Sequence, residues 1–279
     1  MIAKELWLKT VAAITLPIEV DEKNAIASAW VEFLTQLNRT EIVTDKKEIH
    51  VDENFWQQGI ARINQHEPIQ YITGEAYFYG LRFFVDQHVL IPRPETELLV
   101  DIVLAYGKSK NEITIVDACT GSGCIGISIQ KNLPSSNVYL TDVSADALAI
   151  AQKNAYALKV NPTIIQSDLL NEKLPFSHCD VLVSNPPYVR LQEKASMHEN
   201  VVNYEPHLAL FVPDDDALVF YKALAKQGQN LLPNGGLLAV EINEALADEV
   251  CGLFTLHNFT TINIHKDYSG KDRIVTASK

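Results

Sequence analysis

The stretch Ile113-Thr-Ile-Val-Asp117-Ala-Cys-Thr-Gly121-Ser-Gly123-Cys-Ile-Gly126 carries the pattern that decides the fold. A β-branched strand leads into an acidic residue, then a turn containing glycine, then the apolar start of a helix. Glycine permits a tight turn and a close approach of the backbone to a ligand. The turn begins with cysteine and threonine, unlike the dinucleotide fingerprint, and no lysine follows its glycines as in a phosphate-binding P-loop. The stretch therefore predicts a nucleotide-binding turn of neither of these two classes.

Two further strand ends follow this turn. Val138-Tyr-Leu-Thr-Asp142 predicts a strand that ends in a carboxylate, where a ribose diol would lie. The alternative is that Asp142 caps the helix that follows it. A third strand-like run begins at Thr163 and ends before Asp168-Leu169, where a carboxylate and an apolar side chain would flank an adenine.

Asn185-Pro186-Pro187-Tyr188 follows the apolar run 181–184, which predicts a buried strand. The two prolines remove two backbone donors, and the residue before a proline is driven toward an extended conformation. The result is a stiff corner with an amide oxygen, proline carbonyls and an aromatic face, and it has no ionisable base. Such a corner suits a planar NH2 group, although an ordinary strand-ending turn is the alternative.

Strands and helices alternate through the second part of the chain, which predicts a mostly parallel sheet with helices on both faces. Ligands of such sheets bind beyond the carboxyl ends of the strands. The predicted strands are Ile113–Asp117, Val138–Asp142, Thr163–Gln166, Val181–Ser184, Gly236–Ile242, Thr260–His265 and Arg273–Ala277. Together with the order of the motifs, this is the layout of a Rossmann-like S-adenosylmethionine-dependent methyltransferase domain whose acceptor is an amide or amino nitrogen.

The domain organisation is predicted to be a helical domain over residues 1–72, a hairpin linker over 73–92 and the methyltransferase domain over 93–279. In the first domain the apolar residues have helical spacing, so its tryptophan and phenylalanine residues are expected to form a core. The predicted helices are Leu6–Ile14, Asn24–Leu37 and Asp52–Gln65.

Composition limits the class of partner. The chain has 279 residues and a net charge of −12, whereas nucleic-acid binding requires positive surface against the phosphates. We therefore expect a basic protein partner and no stable nucleic-acid partner. No apolar run approaches the length of a transmembrane helix, and the start lacks the pattern of a signal peptide. The four cysteines lack metal-site spacing, so we expect reduced thiols, no metal, no membrane contact and a cytoplasmic location.

Further motifs give the chain a family resemblance over nearly its full length. It resembles the glutamine-N5 methyltransferases that modify peptide chain release factors. Besides Asn185 to Tyr188, the resemblance rests on Pro68-Ile-Gln-Tyr-Ile-Thr-Gly74, Phe78-Tyr-Gly-Leu-Arg-Phe-Phe84, Leu90-Ile-Pro-Arg-Pro-Glu-Thr-Glu97, Tyr204-Glu-Pro-His-Leu-Ala209 and Asp267-Tyr-Ser-Gly-Lys-Asp-Arg273. The Ile-Pro-Arg-Pro-Glu-Thr-Glu run is highly specific, whereas Asn-Pro-Pro-Tyr also occurs in enzymes that methylate amino groups of DNA and RNA.

The resemblance implies a role for particular residues and an antiparallel last strand. The residues implied to contact the cofactor S-adenosylmethionine are Cys119, Thr120, Gly121, Ser122, Gly123, Asp142, Asp168, Leu169 and Asn185. The acceptor glutamine is expected to lie against Asn185, Pro186, Pro187 and Tyr188. Asn185, Pro186 and Tyr188 are the expected catalytic residues. The chain departs from many relatives at Ala118 and Cys119, where a larger apolar residue and glycine are common, and at Leu169, where some have tryptophan.

Three functions remain in competition at this point. The first is methylation of the glutamine in the Gly-Gly-Gln loop of a release factor, which would modulate translation termination. The second is methylation of an exocyclic amine of DNA or RNA with the same four residues. The third is a binding module that holds the cofactor without catalysis, which the intact Asn185 and glycine turn disfavour.

Two groups of residues keep open roles. Arg93, Glu95 and Thr96 are expected to form a loop over the cofactor or a lid closed by a salt bridge. Three aromatic residues either wall the acceptor pocket or pack the predicted hairpin; they are Phe78, Phe83 and Phe84.

Overall fold

The computed structural model describes residues 1–44 and 46–279. Contacts within the chain define two compact units. One unit comprises Met1–Glu75 and His198–Tyr204, and the other comprises Ala76–Met197 and Glu205–Lys279.

Helices occur in both units. In chain order they are α1 (Ala3–Ala13), α2 (Val20–Thr35), α3 (Arg39–Thr44), α4 (Glu53–Ile63), α5 (Ile69–Thr73), α6 (Glu97–Gly107), α7 (Cys124–Asn132), α8 (Ala145–Leu158), α9 (Glu199–Tyr204), α10 (Val219–Leu231) and α11 (Ala247–Leu256). Among the described residues, none of these helices is long and apolar enough to cross a bilayer.

Within residues 1–44 and 46–279, the strands form one large sheet and two small ones. In chain order they are β1 (Glu75–Phe78), β2 (Leu81–Phe84), β3 (Ile113–Ala118), β4 (Ser136–Asp142), β5 (Thr163–Gln166), β6 (Val181–Ser184), β7 (Val189–Arg190), β8 (Phe211–Val212), β9 (Leu237–Glu241), β10 (Thr260–Lys266) and β11 (Asp272–Ser278).

The first unit is helical and has its own core. The predicted core role is confirmed for Trp30 and Trp56, which are buried with Val31 in one apolar cluster, but it is wrong for Phe55, which is 46% exposed. The indole of Trp56 donates to Thr10 Oγ1 over 2.9 Å. Helix α4 begins at a true cap, since the Asp52 carboxylate accepts hydrogen bonds from the first-turn amides. The short helices α3 and α5 were not predicted.

The second unit is built on a seven-stranded sheet of order β10-β11-β9-β6-β3-β4-β5. The pairs of β3 with β4 and β6, of β4 with β5 and of β6 with β9 are parallel. Strand β11 runs antiparallel to both of its neighbours. The structure therefore confirms the predicted fold class, including the antiparallel last strand.

Helices cover both faces of this sheet, because successive residues of the central strands point to opposite sides. On β3, Ile115 belongs to the cluster under α6, α7 and α8, whereas Val116 belongs to the cluster under α10 and α11. The four residues of β6 are all buried. Burial on both faces explains why these strands are apolar throughout instead of alternating.

The predicted hairpin is present as β1 and β2, joined by Tyr79 and Gly80. Both turn residues have positive φ, 51° and 70°, as a two-residue hairpin turn requires. The small sheet of β7 and β8 was not predicted, since two residues are too short for a periodic signal.

The close packing of α7 on β4 predicts that alanine substitutions at two helical glycines have opposite effects on stability. A β-carbon at Gly126 would lie 2.3 Å from Leu140 Cδ2, whereas one at Gly252 would meet no atom of the described residues within 4 Å. Gly126→Ala should lower the free energy of unfolding by about 1–3 kcal/mol. Gly252→Ala should raise it by about 0.5–1 kcal/mol, the usual gain of alanine over glycine in a helix. Urea unfolding measures both, and equal effects would contradict the close packing of α7.

Candidate active site

A cavity of about 300 Å³ lies at the carboxyl ends of the parallel strands, within the second unit. This volume is at the lower end of the range for small-molecule sites. The structure brings most of the predicted site residues to its wall: Cys119, Thr120, Gly121, Ser122, Asp142, Asp168, Leu169, Asn185 and Pro187.

Three predicted residues are not part of this wall. Gly123 lies behind it and begins α7 as the residue before the first turn, with φ 80°. Pro186 is buried. Tyr188 is half-buried and packs against the core under α10 and α11.

Asp117 stabilises the turn after β3 through hydrogen bonds to its carboxylate. Its Oδ2 accepts hydrogen bonds from Thr120 Oγ1 at 2.6 Å and from the amide of Gly126 at 2.9 Å. Its Oδ1 is buried and has no hydrogen-bond partner among the described residues. The carboxylate thus ties both ends of the turn together, which fixes the backbone that faces the cavity.

Cys119 has a backbone conformation that its residue type disfavours. Its φ is 58°, in the left-handed region, as are those of Gly121 at 54° and Gly123 at 80°. Glycine adopts this conformation without strain, whereas a residue with a β-carbon does so at a cost of about 1–2 kcal/mol. Burial raises the pKa of the Cys119 thiol, so the residue is held as a neutral thiol.

Asp142 ends β4 at the cavity wall, and both of its carboxylate oxygens are engaged by backbone amides. Oδ2 accepts from Gly121 N and Oδ1 from Ser144 N, each over 2.9 Å. The cap of α8 is Ser144, whose hydroxyl accepts from Ala147 N. The alternative that Asp142 is the helix cap is therefore wrong. Each carboxylate oxygen retains a further lone pair for a ligand.

Asp168 and Leu169 form the turn after β5. The Asp168 carboxylate accepts from the Asn171 side chain at 2.8 Å and from the amide of Leu170 at 2.9 Å. The Asn171 bond is the largest cause that lowers the pKa of Asp168. Leu169 is buried and gives the cavity an apolar surface.

Asn185 is held by a chain of hydrogen bonds that ends at a buried carboxylate. Its Nδ2 donates to Thr96 Oγ1 over 3.1 Å, and the Thr96 hydroxyl donates to Glu241 Oε2 over 2.5 Å. The other oxygen of Glu241 accepts from the Tyr188 hydroxyl at 3.0 Å. Two side chains of the predicted acceptor motif therefore converge on Glu241, which is only 1% exposed.

Glu241 is the site residue that sequence reasoning missed. Strand β9 is apolar up to its last residue, and the register pairs Ser184 with Val240, which sets Glu241 beside Asn185. The available signal was a single charged residue near the end of the apolar run Gly236–Ile242. It went unused because no motif surrounds Glu241.

Burial governs the titration of two carboxyls in this region, those of Asp117 and Glu241. It raises the pKa of Asp117 to about 7, against hydrogen bonds from Thr120 and Gly126. It also raises the pKa of Glu241, against hydrogen bonds from Thr96 and Tyr188. Both carboxyls therefore titrate above the ordinary range of their residue types.

The loop before α6 is closed by an ion pair. Arg93 lines the cavity and pairs with the buried Glu205 over 2.6 Å. Glu205 also accepts from the amide of Ile91 at 3.2 Å. Thr96 lines the cavity as well, whereas Glu95 is exposed and lies outside its wall.

Of the three aromatic residues with open roles, Phe78 and Phe83 pack in the core at the hairpin. The rings of Phe78 and Phe83 are buried and meet edge to face, with 6.1 Å between their centroids. Phe84 is covered by Lys153, whose Nζ lies 3.9 Å from the ring centroid. None of the three is part of the cavity wall.

Comparison with protein families gives two matches along the chain. Residues 94–207 match the methyltransferase small domain. Residues 7–74 match the PrmC N-terminal domain. Among solved structures, a methyltransferase from Pyrococcus furiosus has a TM-score of 0.51 at 16% identity, covering 78% of this chain and 96% of that one. That likeness concerns the fold.

Full-length relatives carry the comparison further. The release factor glutamine methyltransferase of Flavobacterium psychrophilum is 40% identical over 280 aligned residues, which cover 99% of this chain and 98% of the relative. The release factor glutamine methyltransferase of Bacteroides thetaiotaomicron is 44% identical over 221 residues, 79% of each chain. The chain therefore belongs to the release factor glutamine methyltransferase family, and it is a methyltransferase.

Proposed function

We propose that the protein transfers the methyl group of S-adenosylmethionine to the side-chain amide nitrogen (N5) of the glutamine in the Gly-Gly-Gln motif of a peptide chain release factor. The observation that carries this proposal is the state of Asn185. It lines the cavity, its Nδ2 is committed to Thr96, and its Oδ1 accepts no hydrogen bond from any described residue. That oxygen is therefore available to an NH2 group in the cavity.

The residues of the cavity wall fit S-adenosylmethionine. The Asp142 carboxylate has the remaining lone pairs to accept from the ribose hydroxyls, and Leu169 supplies an apolar contact for the adenine. The backbone of the turn from Cys119 to Ser122 can come close to a ligand, because the turn contains residues in the left-handed conformation. When bound, S-adenosylmethionine supplies a methyl group already activated by its sulfonium.

The acceptor sets the chemical difficulty, because an amide nitrogen delocalises its lone pair into the carbonyl. Asn185 Oδ1 and the carbonyl oxygen of Pro186 accept the two amide hydrogens. These bonds favour a pyramidal nitrogen and direct its lone pair toward the methyl carbon, and such positioning is worth several kcal/mol. We assign the ring of Tyr188, which is outside the cavity wall, to the face of the planar amide.

No base has to act before transfer. The nitrogen forms its bond to the methyl carbon while the bond from carbon to sulfur breaks, which leaves a thioether. The methylated nitrogen is then strongly acidic and releases its proton to water. The acceptor motif supports this order of events. Asn185, Pro186 and Pro187 have no ionisable side chain, and burial raises the pKa of the Tyr188 hydroxyl, so that it stays protonated and cannot act as a base.

The protein partner is favoured by charge. The net charge of −12 opposes the phosphates of a nucleic acid and attracts a basic protein surface. We assign recognition of the folded release factor to the helical residues 1–72, residues 73–92 to a linker and catalysis to residues 93–279. A cytoplasmic location follows from this substrate, because translation takes place there.

A substrate panel tests the proposal. Purified enzyme and tritiated S-adenosylmethionine are offered an intact release factor, duplex DNA and ribosomal RNA side by side. The label should enter the release factor alone, and mass spectrometry should place it on the Gly-Gly-Gln glutamine. Label in either nucleic acid, with none in the release factor, would establish the exocyclic-amine alternative instead.

Asn185 gives a prediction about the transfer step. Asn185→Ala should lower the single-turnover rate constant by about 10²-fold or more, because it removes an acceptor that positions the reacting nitrogen. Affinity for S-adenosylmethionine, measured by calorimetry, should fall only modestly. Asn263→Ala, at an exposed position of β10, serves as the control and should change neither quantity. A near-normal single-turnover rate constant in Asn185→Ala would contradict this mechanism.

Asp142 gives a prediction about the cofactor. Asp142→Ala should weaken binding of S-adenosylmethionine by about 1.5–3 kcal/mol, the usual value of a hydrogen bond to a charged group. Asp142→Asn should cost less, since one acceptor oxygen survives. Asp146→Ala removes an exposed carboxylate in the first turn of α8 and should leave the dissociation constant unchanged. Calorimetry would contradict this role if all three variants bound equally well.

A further inference from the structure

The buried carboxyl of Glu241 has no part in the methyl transfer described above, yet it lies under the residue that grips the acceptor. Thr96 has a single hydroxyl hydrogen, and a separation of 2.5 Å from Glu241 Oε2 is typical of donation to a carboxylate. The Thr96 oxygen can then only accept from Asn185. The side-chain atom of Asn185 that faces Thr96 must therefore be the NH2 group, which leaves Oδ1 for the cavity.

We propose that the Glu241 carboxylate fixes the orientation of the Asn185 carboxamide through the Thr96 hydroxyl, and that Glu241 is a positioning residue for the acceptor nitrogen. This inference rests on the proposed function. Beyond that function, it assigns to Glu241 the control of which end of the Asn185 carboxamide faces the acceptor glutamine.

Protonation of Glu241 removes this control. A neutral carboxyl donates its own hydrogen to Thr96 Oγ1, and the Thr96 hydroxyl is then free to donate toward Asn185. The carboxamide of Asn185 can satisfy that donor only by turning its Oδ1 toward Thr96. The NH2 group of Asn185 then faces the NH2 group of the glutamine that is to be methylated. Two donors then face each other, and the acceptor is held out of position.

Burial and the charged groups around Glu241 determine the direction in which its pKa is shifted. Burial raises its pKa, and the negative charge of Glu95 acts in the same direction, whereas Arg273 acts against both. Arg273 is itself paired with Asp267 over 3.2 Å. The Tyr188 hydroxyl remains protonated, because burial and the Glu241 charge raise its pKa. The group that changes charge in the network is therefore Glu241.

Thr96 supplies a matched pair of variants that test the proposal. Thr96→Val keeps the shape of the side chain and removes the hydroxyl, whereas Thr96→Ser keeps the hydroxyl. With release factor and S-adenosylmethionine both saturating, Thr96→Val should lower the single-turnover rate constant about 10²-fold. Thr96→Ser should stay within about threefold of the wild type. The dissociation constant for S-adenosylmethionine should change by less than about twofold in both.

The pH profile separates positioning from packing. The wild-type rate constant should fall as pH is lowered through the pKa of Glu241, above the ordinary glutamate range, because the protonated form releases the carboxamide. That fall should persist in Thr96→Ser and be absent from both Thr96→Val and Glu241→Gln. A fall that persists in Thr96→Val would belong to another carboxyl, such as Asp117, and would contradict the proposal. A wild-type rate in Thr96→Val would contradict it as well.

A measurement without substrate keeps this inference distinct from the proposed function. The side-chain amide of Asn185 is observed by NMR in protein labelled with ¹⁵N at asparagine, and Asn185→Ala identifies the signal. The signal should move with pH in the wild type and in Thr96→Ser, and it should not move in Thr96→Val. If the wild type methylates no glutamine, the proposed function fails while this titration still decides the orientation. An Asn185 signal that is insensitive to pH in the wild type would overturn the role of Glu241.

Discussion

The candidate site depends on the parallel register of β4, β3, β6 and β9. Parallel pairing brings the carboxyl ends of all four strands to one edge of the sheet. Asp142, Asp117, Asn185 and Glu241 stand at or just beyond those ends. A shift of one residue in any of these strands would turn its terminal side chain to the opposite face. The apolar residues buried on both faces of the strands hold the register, so the core determines the geometry of the site.

The polar groups at this edge are fixed by contacts that are distant in sequence. Thr96 reaches Asn185 across 89 positions and Glu241 across 145. Arg93, three residues before Thr96, is anchored by the buried Glu205, 112 positions away. The specific Ile-Pro-Arg-Pro-Glu-Thr-Glu run thereby has a structural explanation: it delivers Thr96 to the acceptor corner and anchors the loop that carries it. A weak nucleophile requires such positioning, because the side chains that orient it are then already ordered before the substrate binds.

The sequence predicted the parts of the molecule that depend on local pattern. The strand–turn–helix at Ile113–Gly126 and the corner at Asn185 carry periodicity, glycine and proline, so their structures follow from short-range chemistry. Glu241 could not be assigned in this way, because its role arises from a strand register and a hydroxyl supplied by a remote loop. The positive φ of Cys119 was hidden for a similar reason, since the residue type disfavours the conformation that the turn imposes. Phe78 and Phe83 were equally ambiguous, because burial in a hairpin and burial at a pocket leave the same apolar pattern.

The central claim is that Asn185 presents its oxygen to the acceptor amide because Thr96 and Glu241 hold its other end. A crystal structure of the protein with an intact release factor and S-adenosylhomocysteine tests this claim most directly. The account predicts that the glutamine amide nitrogen lies about 3 Å from Asn185 Oδ1, a hydrogen-bond distance. It also predicts that Asn185 Nδ2 remains on Thr96. A glutamine nitrogen out of reach of Oδ1, or an Asn185 whose NH2 has left Thr96 for the substrate, would contradict it.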